Sequence, residues 1–206
     1  MAERFNAALS DAGCLPEPYA GAVALYFYKG DYKKLSQALK YGADMRLGRY
    51  LAAALGRKVA DCGFFDDVDV VIPVPLHWRR RFSRGYNQAE VIAEAVFSEI
   101  MGRRQSAGSC RLDTVCLKRR RHTGSQTKLD RPGKLANVKG AFSVKAGSLP
   151  EDGAPVHILL VDDVFTTGAT LCECHQTLRR ALIAEYGRER GLKTVISVAT
   201  LAFVGE

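Results

Sequence analysis

The segment His157-Ile-Leu-Leu-Val-Asp-Asp-Val-Phe-Thr-Thr-Gly-Ala-Thr-Leu171 concentrates the chemistry of this chain. Ile158 to Val161 are apolar and read as a buried strand that delivers two adjacent carboxylates, Asp162 and Asp163, to its end. Side-by-side carboxylates repel each other and are poorly placed in a core. Sugar hydroxyls, or a cation, would satisfy them. Thr166, Thr167, Gly168, Ala169 and Thr170 then turn into a helix start, where free backbone N–H groups and threonine hydroxyls suit a phosphate. Gly168 permits close backbone approach or a positive φ. One short segment thus has the groups to hold both halves of a ribose-5-phosphate. The alternative is an ordinary helix-capping turn with solvated aspartates.

Two further segments carry candidate chemistry. Pro73-Val74-Pro75 makes a stiff turn after the apolar run that begins at Val68, and Arg79, Arg80, Arg81 and Arg84 follow. A guanidinium fork suits a pair of pyrophosphate oxygens. Solvated arginines on a helix start are the competing reading. Asn87 reads equally as a helix cap or a ligand group. The third segment is basic. Residues 103–139 hold eleven Lys or Arg and two acids, a net +9, against +8 for the whole chain. The charge excess is therefore one local block. Such a block suits a phosphate, a pyrophosphate or nucleic acid, unless it is only a solvated loop. Trp78 and Tyr86 could stack bases, but they lie in a different segment.

The elements that must position these groups alternate between strand and helix. Strands are expected at 22–28, 68–74, 114–118, 140–144, 156–161 and 194–203. Helical periodicity covers 31–60, broken near Gly42-Ala-Asp44, as well as 87–100 and 169–186. Residues 119–137 lack periodicity and read as a loop. Strands that are apolar throughout, alternating with helices, predict an α/β domain. Its sheet should be mainly parallel and flanked by helices, with ligands beyond the carboxyl ends of the strands. Residues 1–60 read as an N-terminal strand and helical appendage, and 61–206 as the main domain.

The bulk properties are those of a folded soluble chain: 206 residues, 47% apolar and 25% charged. No apolar run approaches the roughly 20 residues that span a bilayer, and Met1-Ala-Glu-Arg-Phe-Asn6 has no signal layout. A cytoplasmic protein with no membrane insertion is expected. The six cysteines, Cys14, Cys62, Cys110, Cys116, Cys172 and Cys174, then read as reduced thiols. Cys172-Glu-Cys174-His175 falls in a helix, where positions two apart do not share a face, so packing is expected there rather than a metal. No metal-ligand set is predicted.

Val161-Asp-Asp-Val-Phe-Thr-Thr-Gly-Ala-Thr170 resembles the phosphoribosyl pyrophosphate (PRPP) signature of type I phosphoribosyltransferases. Val70-Val-Ile-Pro-Val-Pro-Leu-His-Trp-Arg-Arg-Arg-Phe-Ser-Arg-Gly-Tyr-Asn-Gln-Ala-Glu90 resembles the PVPL and RGxNQ stretch of the ComF family of competence-associated phosphoribosyltransferases. Gln126, Leu129, Asn137 and Gly140-Ala-Phe142 fit that family's spacing, and Leu39-Lys-Tyr-Gly42 resembles its LK-x-G helix. The likeness runs from about Tyr28 to the C-terminus. Two features depart from the pattern. ComF proteins usually begin with a cysteine-rich zinc-binding segment that is missing here, so the chain would belong to a shortened branch or lack its N-terminus. Lys134 also stands where arginine is usual, which keeps the charge and loses the planar fork.

The resemblance implies a type I phosphoribosyltransferase-like fold with a flexible basic loop. Asp162 and Asp163 would contact the ribose 2′ and 3′ hydroxyls, and Thr166, Thr167, Gly168, Ala169 and Thr170 would cradle the 5′-phosphate. Val74, Pro75 and Leu76 would meet pyrophosphate through their backbone, with Arg84 supplying charge. Arg119, Arg121 and Lys128 of the basic loop would stabilise charge on the departing pyrophosphate. Mg²⁺ would accompany PRPP. The implied reaction transfers ribose-5-phosphate to an unidentified acceptor, a nitrogen by preference, in DNA uptake or nucleotide salvage. The alternative is a non-catalytic module that binds PRPP or single-stranded DNA in competence, beside a helicase partner. A homodimer is left open.

Overall fold

The computed structural model describes residues 3, 5–7, 20–28, 45–103, 110–121, 131–149, 153 and 157–204. Its strands are β1 (Ala22–Tyr28), β2 (Val70–Pro73), β3 (Arg111–Leu112), β4 (Leu117–Arg119), β5 (Phe142–Val144), β6 (His157–Phe165) and β7 (Val195–Val204). Its helices are α1 (Met45–Ala60), α2 (Trp78–Arg84), α3 (Gln88–Arg103), α4 (Arg131–Val138), α5 (Ala169–Tyr186) and α6 (Arg188–Lys193). Five strands form one sheet in the order β1-β7-β6-β2-β3, and every neighbouring pair is parallel. β4 and β5 pair antiparallel as a separate ribbon.

Strand alternation sends successive residues of β6 to opposite faces. Ile158 and Leu160 pack with Leu171, Leu178 and Leu182 of α5, together with Leu117 and Phe142 of the ribbon. Leu159 and Val161 pack with Leu51 and Leu55 of α1 and with Ile92 and Val96 of α3. The sheet is therefore covered on both faces, which is why its strands are apolar throughout. α1 and α3 meet closely at Gly56. A Cβ there would come within 2.9 Å of the Ala95 carbonyl oxygen and 2.8 Å of Glu99 Cγ.

The expected α/β architecture with a mainly parallel sheet is present. Three local expectations are corrected. β6 does not stop at Val161 but continues through both aspartates to Phe165. Phe165 is buried and stacks on Phe203 of β7 at 4.9 Å, which extends the ladder past the acidic pair. The loop expected over 119–137 contains β4's last residue and most of α4. Pro132 sits in the first turn of α4, where a missing N–H costs nothing, so the Pro-Gly pair does not break the helix. The third correction is β3, a two-residue strand that extends the sheet beside β2. The segment 1–60, read as an appendage, supplies β1 to the same sheet and α1 to the same core. Residues 31–44 of its expected helix lie outside the described residues.

At the amino end of β6 a polar chain, buried at His157 and Ser197, ties three segments together. His157 Nδ1 lies 2.6 Å from Asp67 Oδ1, and His157 Nε2 lies 2.6 Å from Ser197 Oγ of β7. The His157 N–H donates to Asp69 Oδ2 at 3.0 Å. Phe65 stacks on the imidazole. His157 and Ser197 are fully buried while Asp67 is exposed, so the chain ties the surface to the core at this end of the sheet.

Candidate functional site

The sheet order places the candidate site. The chain leaves β2 for β3 on one side, and the next strand to enter the sheet, β6, pairs on the other side of β2. The topological switch point therefore lies between β2 and β6; β2 ends at Pro73 opposite Val161, and β6 runs four residues further, to Phe165. Parallel α/β sheets bind ligands in the crevice beyond such a point. Asp162 follows Val161 directly, and α2 leaves the end of β2.

The acidic pair is held by its own backbone. The Asp163 N–H donates to Asp162 Oδ1 at 2.9 Å, and the Val164 N–H donates to Asp163 Oδ1 at 2.8 Å. Both aspartates are half-buried. Burial first, and then the neighbouring Asp163 charge, push the Asp162 carboxyl well above its ordinary range, while Arg119 acts in the opposite direction.

Beyond the pair the chain bends into α5. Gly168 takes φ 72°, a left-handed conformation that side chains rarely adopt, and it precedes the first helical residue, Ala169. The N–H groups of a first helical turn have no intrahelical acceptor. Asp162, Val164, Phe165, Thr166, Thr167, Gly168, Ala169, Thr170 and Leu171 line one open hollow. The structure thus brings together Asp162 and the whole 166–170 turn. Hydroxyls, backbone N–H groups and the positive end of α5 converge there, which is a chemistry for an anion.

Basic residues approach the same place from β4 and α2. The Arg119 guanidinium lies over the Phe142 ring at 5.2 Å. Burial, and then the Arg80 charge, lower its pKa, while Cys174 and Asp162 act the other way. Burial and Arg84 lower that of Arg80. The charges of Arg119, Arg80 and Asp162 thus act on one another. The sequence marked Arg80 only as one of a run of arginines. Its spacing from Arg119 carries no signal that could have paired the two.

Other expected site residues are used differently. Both free Arg121 hydrogen bonds go to backbone, from Nη2 to Asn137 O at 2.9 Å and to Lys139 O at 2.8 Å. Arg121 thus clasps the end of α4 to the end of β4. Arg84 Nη1 reaches Gln88 Oε1 at 3.5 Å. The Val74 N–H donates to Val161 O at 2.8 Å, and its carbonyl accepts from Asn87 Nδ2 at 3.1 Å. Val74 therefore spends its backbone groups inside the fold, and the half-exposed Pro75 and Leu76 form the outer part of that turn. Lys128 lies outside the described residues.

Asn87 resolves as a cap. Its Oδ1 accepts from the Ala89 N–H at 3.2 Å at the start of α3, and both Asn87 and Gln88 are buried. Gly85, at φ 82°, closes α2 in the left-handed conformation. The Arg-Gly-x-Asn-Gln run is therefore a helix-turn-helix joint that sets α2 against the end of β2. Glu173 of α5, unnoticed in the sequence, is buried and accepts from the Gly140 N–H at 2.9 Å, fixing the entry to β5.

Among the described residues no group of three or more His, Cys, Asp or Glu could hold a metal ion. Cys172, Cys174 and His175 are buried in α5. Burial and Asp162 push the Cys174 thiol well up, and burial with Arg179 drives His175 down to about 3. They behave as packing groups, as expected. The five described cysteines are free thiols, and Cys14 lies outside the described residues. Among the described residues no helix is long and apolar enough to cross a membrane.

The fold and site therefore define an α/β protein with an anion-suited turn at the switch point of a parallel sheet. The chain is 29% identical over 168 residues to the DNA utilization protein YhgH of Escherichia coli, covering 80% of this chain and 68% of that protein. It is 31% identical over 155 residues to competence protein F of Haemophilus influenzae, covering 73% of this chain and 63% of that protein. It is 27% identical over 158 residues to competence protein ComFC of Streptococcus pneumoniae, covering 77% and 61%. These relatives support the resemblance to the ComF family. No family model and no solved structure matches it.

Proposed function

We propose that the chain is a ComF-type, type I phosphoribosyltransferase-like protein that binds PRPP and transfers ribose-5-phosphate to a nitrogen acceptor. The observation that carries this reading is the hollow that Asp162 shares with the 166–170 turn beside the β2/β6 switch point, with Asp163 adjoining it in sequence. Asp162 and Asp163 accept hydrogen bonds from the ribose 2′ and 3′ hydroxyls. Thr166, Thr167, Thr170 and the N–H groups opening α5 hold the 5′-phosphate. Arg119 and Arg80, whose charges act on each other, supply positive charge for the departing pyrophosphate.

In the step itself, the acceptor nitrogen bonds to the anomeric carbon. The bond from that carbon to pyrophosphate breaks, and pyrophosphate leaves with the electron pair. The acceptor's proton passes to solvent. The protein's contribution is positioning and charge stabilisation. Two adjacent carboxylates, with no third His, Cys, Asp or Glu ligand among the described residues, would suit a Mg²⁺ ion that arrives with the substrate, since this ion keeps waters and phosphate oxygens around one or two carboxylates. When bound, it would offset the pyrophosphate charge. Competence and DNA utilization, in the names of the relatives, supply the setting.

Calorimetry with PRPP and Mg²⁺ tests the site. The wild type should give heat of binding, and the double variant Asp162→Asn/Asp163→Asn should give none. Absence of wild-type binding would sink the proposal. Pyrophosphate release across a panel of nitrogen bases then separates turnover from binding alone.

A further inference from the structure

β7 is apolar except for two hydroxyl residues, Ser197 and Thr200, both fully buried. Ser197 has work for its hydroxyl. Its Oγ lies 2.6 Å from His157 Nε2 and 3.5 Å from the Ile158 carbonyl oxygen. Thr200 Oγ1, by contrast, is buried and has no hydrogen-bond partner. A buried hydroxyl in that condition has lost its water and gained no bond in exchange, which folded proteins mostly avoid. Valine would fill nearly the same space without that penalty, so packing alone does not call for threonine at this position.

The register of the sheet identifies the neighbours of this hydroxyl. Thr200 stands opposite Asp162 of β6 on one side and Ala24 of β1 on the other. Side chains in one row of a parallel sheet share a face, on strands about 4.8 Å apart. Val198, two residues before Thr200, and Leu160, two residues before Asp162, both pack on the α5 face. Alternation then carries Thr200 and Asp162 to that same face. The Cys174 thiol of α5, raised first by burial and then by the Asp162 charge, agrees with this placement. Ala24 offers only a methyl group, so the polar neighbour of Thr200 in the row is Asp162.

Asp162 can use a second donor. Its Oδ1 takes the Asp163 N–H at 2.9 Å, and a carboxylate accepts several hydrogen bonds. The hydroxyl proton turns freely about its C–O bond, and χ2 of an aspartate is a soft torsion. We propose that Thr200 is a positioning residue for Asp162: its hydroxyl donates to the Asp162 carboxylate as that carboxylate takes up the ribose hydroxyls, and so fixes the carboxylate plane. This role rests on the PRPP reading. Being fully buried, Thr200 acts through Asp162 rather than on the substrate itself. The bond it makes is to a charged acceptor, the stronger class of hydrogen bond.

Calorimetry with PRPP and Mg²⁺ on Thr200→Val and Thr200→Ser tests this role. Thr200→Val should weaken PRPP binding about ten-fold, the effect of losing one hydrogen bond to a charged group. Thr200→Ser keeps the hydroxyl and should restore most of the affinity. Urea melts of Thr200→Val should show a midpoint no lower than that of the wild type, because the hydroxyl removed has no partner. Inorganic phosphate, followed by amide NMR shifts at residues 166–170, should bind all three proteins alike, since it asks nothing of the Asp162 carboxylate. A folded Thr200→Val protein that binds PRPP as the wild type does would overturn the role. So would a Thr200→Val protein that loses phosphate and PRPP equally, or a Thr200→Ser protein that binds no better than Thr200→Val. If valine is not accommodated, Thr200→Ala against Thr200→Ser makes the same comparison. A wild type that binds phosphate but no PRPP removes the PRPP reading and this role with it. Normal wild-type binding with an indifferent Thr200→Val removes the role alone.

Discussion

Replacing Asn87 by alanine distinguishes a joint from a ligand group. The side chain makes two bonds, one accepted from the Ala89 N–H and one donated to the Val74 carbonyl. Loss of a helix cap costs about 1 kcal/mol, within a range of about 0.5–2. The Val74 carbonyl, in a buried residue, would also lose its asparagine donor, and leaving such a group unsatisfied costs about 1–3 kcal/mol. The sum is about 2–4 kcal/mol, a large share of the roughly 5–15 kcal/mol by which domains are stable. For a chain of this size that corresponds to a fall of about 5–15 °C in Tm. Urea melts at constant m should show it as a lower midpoint. Asn87→Asp keeps the cap acceptor and loses only the donor, so it should recover part of the loss. PRPP affinity of the folded fraction should be almost unchanged. A variant within 0.5 kcal/mol of wild type that has lost PRPP binding would refute the assignment and return Asn87 to the ligand.

Two further substitutions probe the site. The Asp162 carboxyl is raised above its ordinary value of 3.8, so the folded state binds its proton more tightly than the unfolded chain does. Its effect on stability is therefore best at pH below 3.8 and declines as pH rises toward the raised value. Asp162→Asn, whose amide oxygen can still accept the Asp163 N–H, should be more stable than wild type at pH 7 and should lose this decline, as read by thermal melts between pH 4 and 8. A less stable variant at pH 7 would contradict the repulsion described for the pair. Arg121→Ala removes two charge-assisted bonds to backbone carbonyls at an exposed site and should cost about 1 kcal/mol in urea melts. Unchanged stability with lost pyrophosphate release would instead make Arg121 the cation that the sequence suggested.

The acidic pair, the Gly168 turn and the strand-helix alternation were legible because each rests on local order. Apolar runs of period zero or 3.6, a glycine before a helix and adjacent carboxylates are all visible along the chain. The extension of β6 to Phe165 was not, because Phe203 and Phe5 hold that residue from distant positions. α4 was hidden because Pro and Gly read as breakers until the position of Pro132 within the first turn is known. The mutual influence of the Arg80, Arg119 and Asp162 charges links three elements, which no spacing encodes. The Asp67–His157–Ser197 tie was invisible for the same reason. Asn87 could be typed as cap or ligand from sequence, and only the Val74 carbonyl beside it decides.

That tie also bears on how such a protein can change over generations. His157 opens β6 and Asp162 lies five residues further along it, about 16 Å away. Substitutions farther apart than about 7–10 Å, with no shared partners, usually act independently. Lineages, or directed-evolution libraries, could therefore remodel the carboxyl end of β6 and its turn for a new acceptor while the amino end keeps the sheet anchored. Innovation and inheritance would occupy opposite ends of the same nine residues.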